Sequence, residues 1–235
     1  MSAFLEAVRP VLFESDDAEY PYFGMGSSVL LSTSRNLYWV TARHVMDNQH
    51  GSAETLRVFA TENSRMSIPF NLWVKIVGQS EDSLFTDLYI LRANLGEFAT
   101  SGDAAASSQR IEDGLLDMAA FKQGDELLVA GYPNDHRAVN YEDFKIRYTR
   151  SVLKANFVGF SSSQQHCGDM RIDTPHGLTT LNGLSGSPIY RLVNVGQVTT
   201  PMMVGLAVLA NDETGLVRFI DAKVLRHAIF GSEKD

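Results

Sequence analysis

Apolar residues run along this chain in short bursts, each closed by a cluster of glycine, serine, asparagine or aspartate. Bursts rich in β-branched and aromatic side chains predict strands, because such residues fit a pleated, half-buried surface. "SSVLLST" (27–33) and "NLYWVTA" (36–42) read as the arms of a hairpin with Ser34 and Arg35 at its turn. "TLRVFAT" (55–61), "FNLWVKIVG" (70–78) and "DLYILRA" (87–93) continue the series. The second half repeats the style in "DELLVAGYP" (125–133), "YTRSVLKANFVGF" (148–160), "MRIDT" (170–174), "SPIYRL" (187–192), "MVGLAVLA" (203–210) and "LVRFI" (216–220). Many short strands at near-regular spacing favour a sandwich or barrels over a βαβ arrangement.

The stretch "TSGDAAASSQRIEDG" (100–114) is small and polar and predicts a linker. It divides the chain into an N-terminal β-domain over 1–99 and a C-terminal one over 115–235. A helical period appears at the end, where Asp221 can cap "DAKVLRHAIF" and Val224, Leu225, Ala228 and Ile229 share one face. The expected fold is all-β: two antiparallel β-barrels followed by a C-terminal α-helix.

Composition changes this picture mainly by exclusion. A net charge of −8 over 235 residues, with no visible lysine or arginine cluster, argues against a nucleic-acid binder, which needs a basic face. It equally disfavours adsorption to an anionic membrane. The longest apolar run, "MMVGLAVLA" (202–210), is about half of the roughly 20 residues a membrane helix needs. The opening "MSAFLEAVRPVLFESDDAEY" lacks the basic start and long apolar segment of a secretion signal. A single cysteine, Cys167, excludes an internal disulfide. Both points lead to the expectation of a cytoplasmic protein, with neither nucleic acid nor membrane as partner, provided the chain is not a mature form that has lost a leader. The sequence contains no H-E-x-x-H, C-x-x-C or phosphate-loop pattern, so no metal or cofactor is expected.

Candidate chemistry centres on "TLNGLSGSPIY" (180–190). A serine between glycines is ordinarily the tip of a turn. It becomes a nucleophile only with a base, a group that orients the base, and donors for an oxyanion. His44, in "YWVTARHVMDN", directly follows an apolar strand and so sits on a rigid support at a barrel rim. His50, His136, His166, His176 and His227 lie in polar loops or on the terminal helix. Asp87, in "LFTDLYILRA", opens an apolar strand where an acid has no packing role; a strand-initiating cap is its plain alternative. Its nearest competitor, Asp82 in "GQSEDS", reads as an exposed turn. Gly183 can aim its N–H alongside that of Ser185 to make a two-donor hole, and Gly186 lets the chain bend away without crowding a substrate. Ser187 is the competing hydroxyl, but only Ser185 has the preceding Gly-x that the hole needs. Cys167 and His166 are adjacent, and adjacent strand residues point to opposite faces, so they do not read as a nucleophile–base pair.

With "VTARHV", "TDLYIL" and "GLSGSP" in that order, the chain resembles the chymotrypsin-fold (trypsin-like) serine peptidases, whose order of histidine, aspartate and serine differs from the subtilisin and α/β-hydrolase orders. "GMGSSVLLS" is similar to a glycine-containing segment of bacterial members, "LLVAGYP" to the strand that opens their second barrel, and "VGLAVLA" to the strand that lines their substrate cleft. The resemblance runs from about residue 20 to 220 and implies two six-stranded barrels in a bacterial-type, stand-alone member. It implies His44 as general base then acid, Asp87 as its orienting partner, Ser185 as the acylated nucleophile, and the N–H groups of Gly183 and Ser185 as the oxyanion hole. Leu184 departs from the family: it cannot form the ion pair of members activated by N-terminal cleavage, so no such switch is expected. Arg43 is bulkier than its counterparts and is expected to point away from the site. Thr179, with Thr180 beside it, stands where an acid selects basic side chains, which implies a neutral pocket for small or apolar residues. The implied activity is hydrolysis of a protein or peptide substrate, with an activating partner protein as a means of control. The alternatives are a silent scaffold serving as a protein-binding module, and an esterase using the same machinery.

Overall fold

The computed structural model describes residues 4–47, 51–61, 67–74, 76, 84–94, 107–114, 121–140, 145–173 and 178–234. In the first half the strands are β1 (Val8–Glu14), β2 (Tyr22–Ser32), β3 (Asn36–Ala42), β4 (Leu56–Arg57), β5 (Leu72–Val74), β6 (Leu88–Asn94) and β7 (Gln109–Arg110). The first six lie in the order β4-β1-β2-β3-β6-β5, all antiparallel, and β7 joins β2 in parallel. In the second half come β8 (Glu126–Gly131), β9 (Arg137–Asn140), β10 (Lys145–Tyr148), β11 (Ser151–Phe160), β12 (Cys167–Ile172), β13 (Pro188–Val195), β14 (Val198–Asn211) and β15 (Leu216–Asp221). Six of them close into a barrel in the order β11-β12-β15-β14-β13-β8, while β9 and β10 form a separate hairpin. The expected pair of six-stranded barrel-like sheets is therefore what the chain adopts.

Some strands differ from their expected limits for local reasons. β1 was not expected, because Pro10 lies inside it and cannot donate to a ladder. It is tolerated there because β4 pairs only with Leu12 and Phe13, so β1 has an open side at Pro10. β2 begins at Tyr22, ahead of the expected Ser27, and the glycines of "YFGMG" hid that extension. Within the 100–114 stretch, residues 100–106 lie outside the described residues. Its described end packs on the first sheet, where Ser107 Oγ meets the Arg9 guanidinium at 2.8 Å and Ser108 Oγ meets Ser32 Oγ at 2.8 Å.

Each barrel has an apolar filling. Leu127, Val129, Ala155, Phe157, Met170, Ile189, Val204 and Phe219 fill the second. A larger cluster around Val29, Leu31, Trp39 and Ile90 fills the first and extends to Tyr190, Met203 and Leu206 of the second and to Leu225 and Ile229 of the terminal helix. That helix, Ala222–Ser232, starts where expected, with the Asp221 side chain accepting from Lys223 N–H. Its end is pinned to the β2–β3 hairpin by Glu233, whose Oε1 accepts from Thr33 Oγ1 at 2.6 Å, Asn36 Nδ2 at 3.0 Å and the Tyr38 hydroxyl at 3.0 Å.

Burial alone raises the Glu233 pKa, but these hydrogen bonds and the nearby Arg35 outweigh it and hold the carboxyl below its ordinary value. Its contribution to stability is thus present above the unfolded value of about pH 4.3 and is lost as pH falls through the lower folded one. Glu233→Gln is expected to cost about 1 kcal/mol near neutral pH and to flatten the fall below about pH 4, as read from thermal melts across that range.

Candidate active site

β3 ends at Ala42, and the chain turns at once into the short helix Arg43–Met46. This turn lifts His44 to the exposed end of a strand whose other residues are buried. Asp87 stands just ahead of β6, the neighbour of β3, with Ala42 paired to Leu88. Its carboxylate grips His44 twice: Oδ1 accepts from the His44 backbone N–H at 2.9 Å, and Oδ2 lies 2.8 Å from the ring Nδ1. The Asp87 carbonyl also accepts from Arg43 N–H at 3.2 Å. An ionised carboxylate cannot donate, so a neutral His44 carries its proton on Nδ1 and presents Nε2 as a free base. Arg43 turns outward, as expected, to an ion pair with Asp47 at 3.1 Å.

The loop that carries Ser185 is held on both sides of that residue. Leu184 is fully buried within the second barrel's filling and so anchors the loop by apolar packing. Leu184 N–H bonds to Leu181 O at 3.2 Å and its carbonyl accepts from Ser187 N–H at 2.9 Å. Gly186 N–H bonds to Ala207 O at 2.7 Å. The N–H groups of Gly183 and Ser185 alternate with these and have no acceptor among the described residues. Gly183 has φ +92, a conformation that favours glycine, and a side chain there would come within 2.6 Å of Tyr132 O and 2.7 Å of Asn134 Oδ1. Asn134 N–H bonds to Asn182 O at 2.8 Å, which fixes the peptide that carries the Gly183 N–H. Gly186 is constrained by a close approach as well. With φ +84, it lies so close to the next strand that a side chain would overlap the Ser27 carbonyl oxygen and Thr41 Oγ1.

Ser27, on β2, joins these parts. Its N–H donates to Ser185 O at 2.9 Å, its hydroxyl donates to Gly183 O at 2.7 Å and accepts from Tyr132 N–H at 2.8 Å, and its carbonyl accepts from Thr41 Oγ1 at 2.7 Å. Beside it, a side chain on Gly26 would come within 3.0 Å of Ser185 O and 3.1 Å of Val45, the residue after His44. Ser185 is thereby seated against the strand and turn that carry His44. The hydroxyl of Ser185 and Nε2 of His44 have no hydrogen-bond partner among the described residues, each other included. Such contacts are often long in the free state and tighten on substrate binding.

Thr179 and Thr180 do not stand alone. Thr179 donates to Asp135 through both its N–H and its hydroxyl, the latter at 2.9 Å, and Thr180 N–H joins them at 3.2 Å. The Thr180 hydroxyl and Leu181 N–H both reach Asp212, at 2.9 and 2.6 Å. These donors, first of all the Thr179 N–H, hold the Asp135 carboxyl below its usual range. Asp135, Asp212, Ser27 and Asn134 were not expected here. Only the "GYPNDH" turn after a strand and the serine in "GMGSS" carried any signal of them.

The competing groups are placed elsewhere. Ser187 is buried, and its hydroxyl has no partner among the described residues. Cys167 is buried in β12, and desolvation pushes its thiol up to about 11, so it is protonated near neutral pH. His136 Nδ1 meets Ser151 Oγ at 2.5 Å, and among the described residues no carboxylate bonds the ring. His50, His176 and Asp82 lie outside the described residues.

No family model matches the chain, and no curated protein matches it. Among solved structures, human heparin binding protein is similar over 98% of this chain and 92% of its own, with a TM-score of 0.61 and 15% sequence identity. A mutant of that protein is similar over 100% and 94%, with a TM-score of 0.62 and 14% identity. The fold is chymotrypsin-like. At that identity the likeness carries the architecture, and the chemistry rests on this chain's own side chains.

Gly186→Ala tests the close approach. It is expected to cost at least about 2–3 kcal/mol in urea unfolding.

Proposed function

We propose that this protein is a serine endopeptidase that cleaves peptide bonds through an acyl-enzyme. The observation that supports this most is the combination at one barrel junction of an Asp87-oriented His44 and two unbonded N–H groups flanking the loop of Ser185. In this reading His44 Nε2 takes the Ser185 proton as Oγ attacks the scissile carbonyl. The new oxyanion receives the N–H groups of Gly183 and Ser185, and Asp87 stabilises the imidazolium. His44 then gives its proton to the departing amine, and a water activated the same way releases the acid and restores Ser185. No cofactor enters. The lone cysteine supports a cytoplasmic setting, and no helix among the described residues is long and apolar enough to cross a membrane. Heparin, named for the similar structures, is a polyanion. A chain of net charge −8 has no long-range attraction for one, so that ligand is not carried over.

The neutral side chains of Thr179 and Thr180 support cleavage after small or apolar residues. The two carboxylates they hold, Asp135 and Asp212, favour a second reading in which basic residues are accepted. Paired libraries with Ala, Leu or Phe against Lys or Arg at the cleaved position separate the two, and faster turnover of the first set is expected. The open Ser185–His44 link favours a different alternative, a silent scaffold that binds proteins. Intact-mass analysis after fluorophosphonate treatment decides this point. One adduct on the wild type, absent from Ser185→Ala and His44→Ala, is expected. A folded wild type without an adduct moves the binding-module reading to the front.

A further inference from the structure

We infer that Ser27 is a positioning residue for the oxyanion hole, an inference that rests on the peptidase reading above. Its three polar groups make four hydrogen bonds, and three of those bonds cross to the second half of the chain. Its hydroxyl does two things at once. It donates to the carbonyl of Gly183, the residue whose N–H forms half of the hole, and it accepts from Tyr132 N–H on the segment that also carries Asn134. Ser27 and Gly183 are buried, so neither group finds water as a substitute. The space around the hydroxyl is shaped for it: a side chain on Gly131 would come within 2.8 Å of Ser27 Oγ and would overlap Ser187 Oγ.

Two peptides flank Gly183. Asn134 N–H holds the one before it through Asn182 O, and the Ser27 hydroxyl holds the one after it through Gly183 O. Gly183, at φ +92, is free to rotate between them in a way other residues are not. The first restraint fixes the Gly183 N–H itself and the second fixes the turn from Gly183 toward Ser185, so without the second the Gly183 and Ser185 N–H groups lose their fixed aim relative to each other, while the surfaces that bind the rest of a substrate stay in place. The hydroxyl therefore acts on the transition state, where charge develops on the oxygen in the hole, and not on ground-state binding.

Ser28 is the built-in control. It is the next residue on β2, is equally buried, and also makes one donated and one accepted side-chain hydrogen bond, to Arg9 O at 3.0 Å and from Trp39 Nε1 at 2.7 Å. Those bonds stay within the first barrel. Ser27→Ala and Ser28→Ala are compared with wild type for Tm, for kcat and KM on a peptide substrate, and for inhibition by a peptidyl boronic acid, whose tetrahedral adduct places an oxygen in the hole.

Both variants are expected to lower Tm. Ser27→Ala alone is expected to lower kcat and boronate affinity, each by about 100-fold, with KM within about 3-fold of wild type. If Ser27→Ala does not fold, Ser27→Cys, which keeps a weak donor of the same shape, is expected to show the same split at smaller amplitude. An active wild type whose Ser27 variant matches Ser28→Ala in kcat and boronate affinity overturns the role given to Ser27 and leaves the peptidase reading standing. A wild type inert to both substrate and boronate overturns the peptidase reading, and the positioning role with it.

Discussion

Hydrogen bonds across the junction of two barrels hold this site together, and they converge on Ser27. A strand of the first barrel ends its exposed turn with His44, and a loop of the second carries Ser185. Neither barrel alone contains the chemistry. The junction is therefore the place where small displacements matter most, and it is built from bonds that are short, buried and directional: Ser27 to Ser185, Gly183 and Tyr132. Buried polar groups left without partners are costly, so the docked arrangement is favoured over a slightly parted one.

Apolar packing sets the larger frame on which those bonds act. Leu184 sinks into the second barrel's filling directly between the two residues whose N–H groups are unbonded. On the other side, Trp39 and its neighbours on β3 are buried, and the strand delivers His44 at a fixed height. Asp87, from the adjacent β6, bonds both the backbone and the ring of His44. The ring's position and its tautomer are thus set by one carboxylate.

Much of this was legible in the sequence because it depends on local pattern. Bursts rich in β-branched and aromatic residues placed β3 and β6 to within a residue and β8 to within two, and the end of an apolar strand singled out His44 as the beginning of one singled out Asp87. β1 was hidden by Pro10, whose tolerance depends on where a neighbouring strand stops pairing. The glycines around Ser185 announced unusual dihedrals, and Gly183 and Gly186 have them. What Gly186 avoids was not legible, since the Ser27 carbonyl and Thr41 hydroxyl it approaches come from distant sequence. Ser27 itself illustrates the limit. Its partner Gly183 is 156 residues away, and nothing in "GMGSS" distinguishes a clamp from a strand entry. Asp135 and Asp212 were missed for the same reason, each being a turn residue until the fold sets it against Thr179 or Thr180.

The central claim is that the site is assembled in the free chain. Mixing the purified protein alone with a chromogenic ester and following the first turnover tests it most directly. The account predicts an immediate burst of about one product equivalent per chain, without a lag, as Ser185 is acylated. A lag, or a burst that appears only after another protein is added, would contradict it.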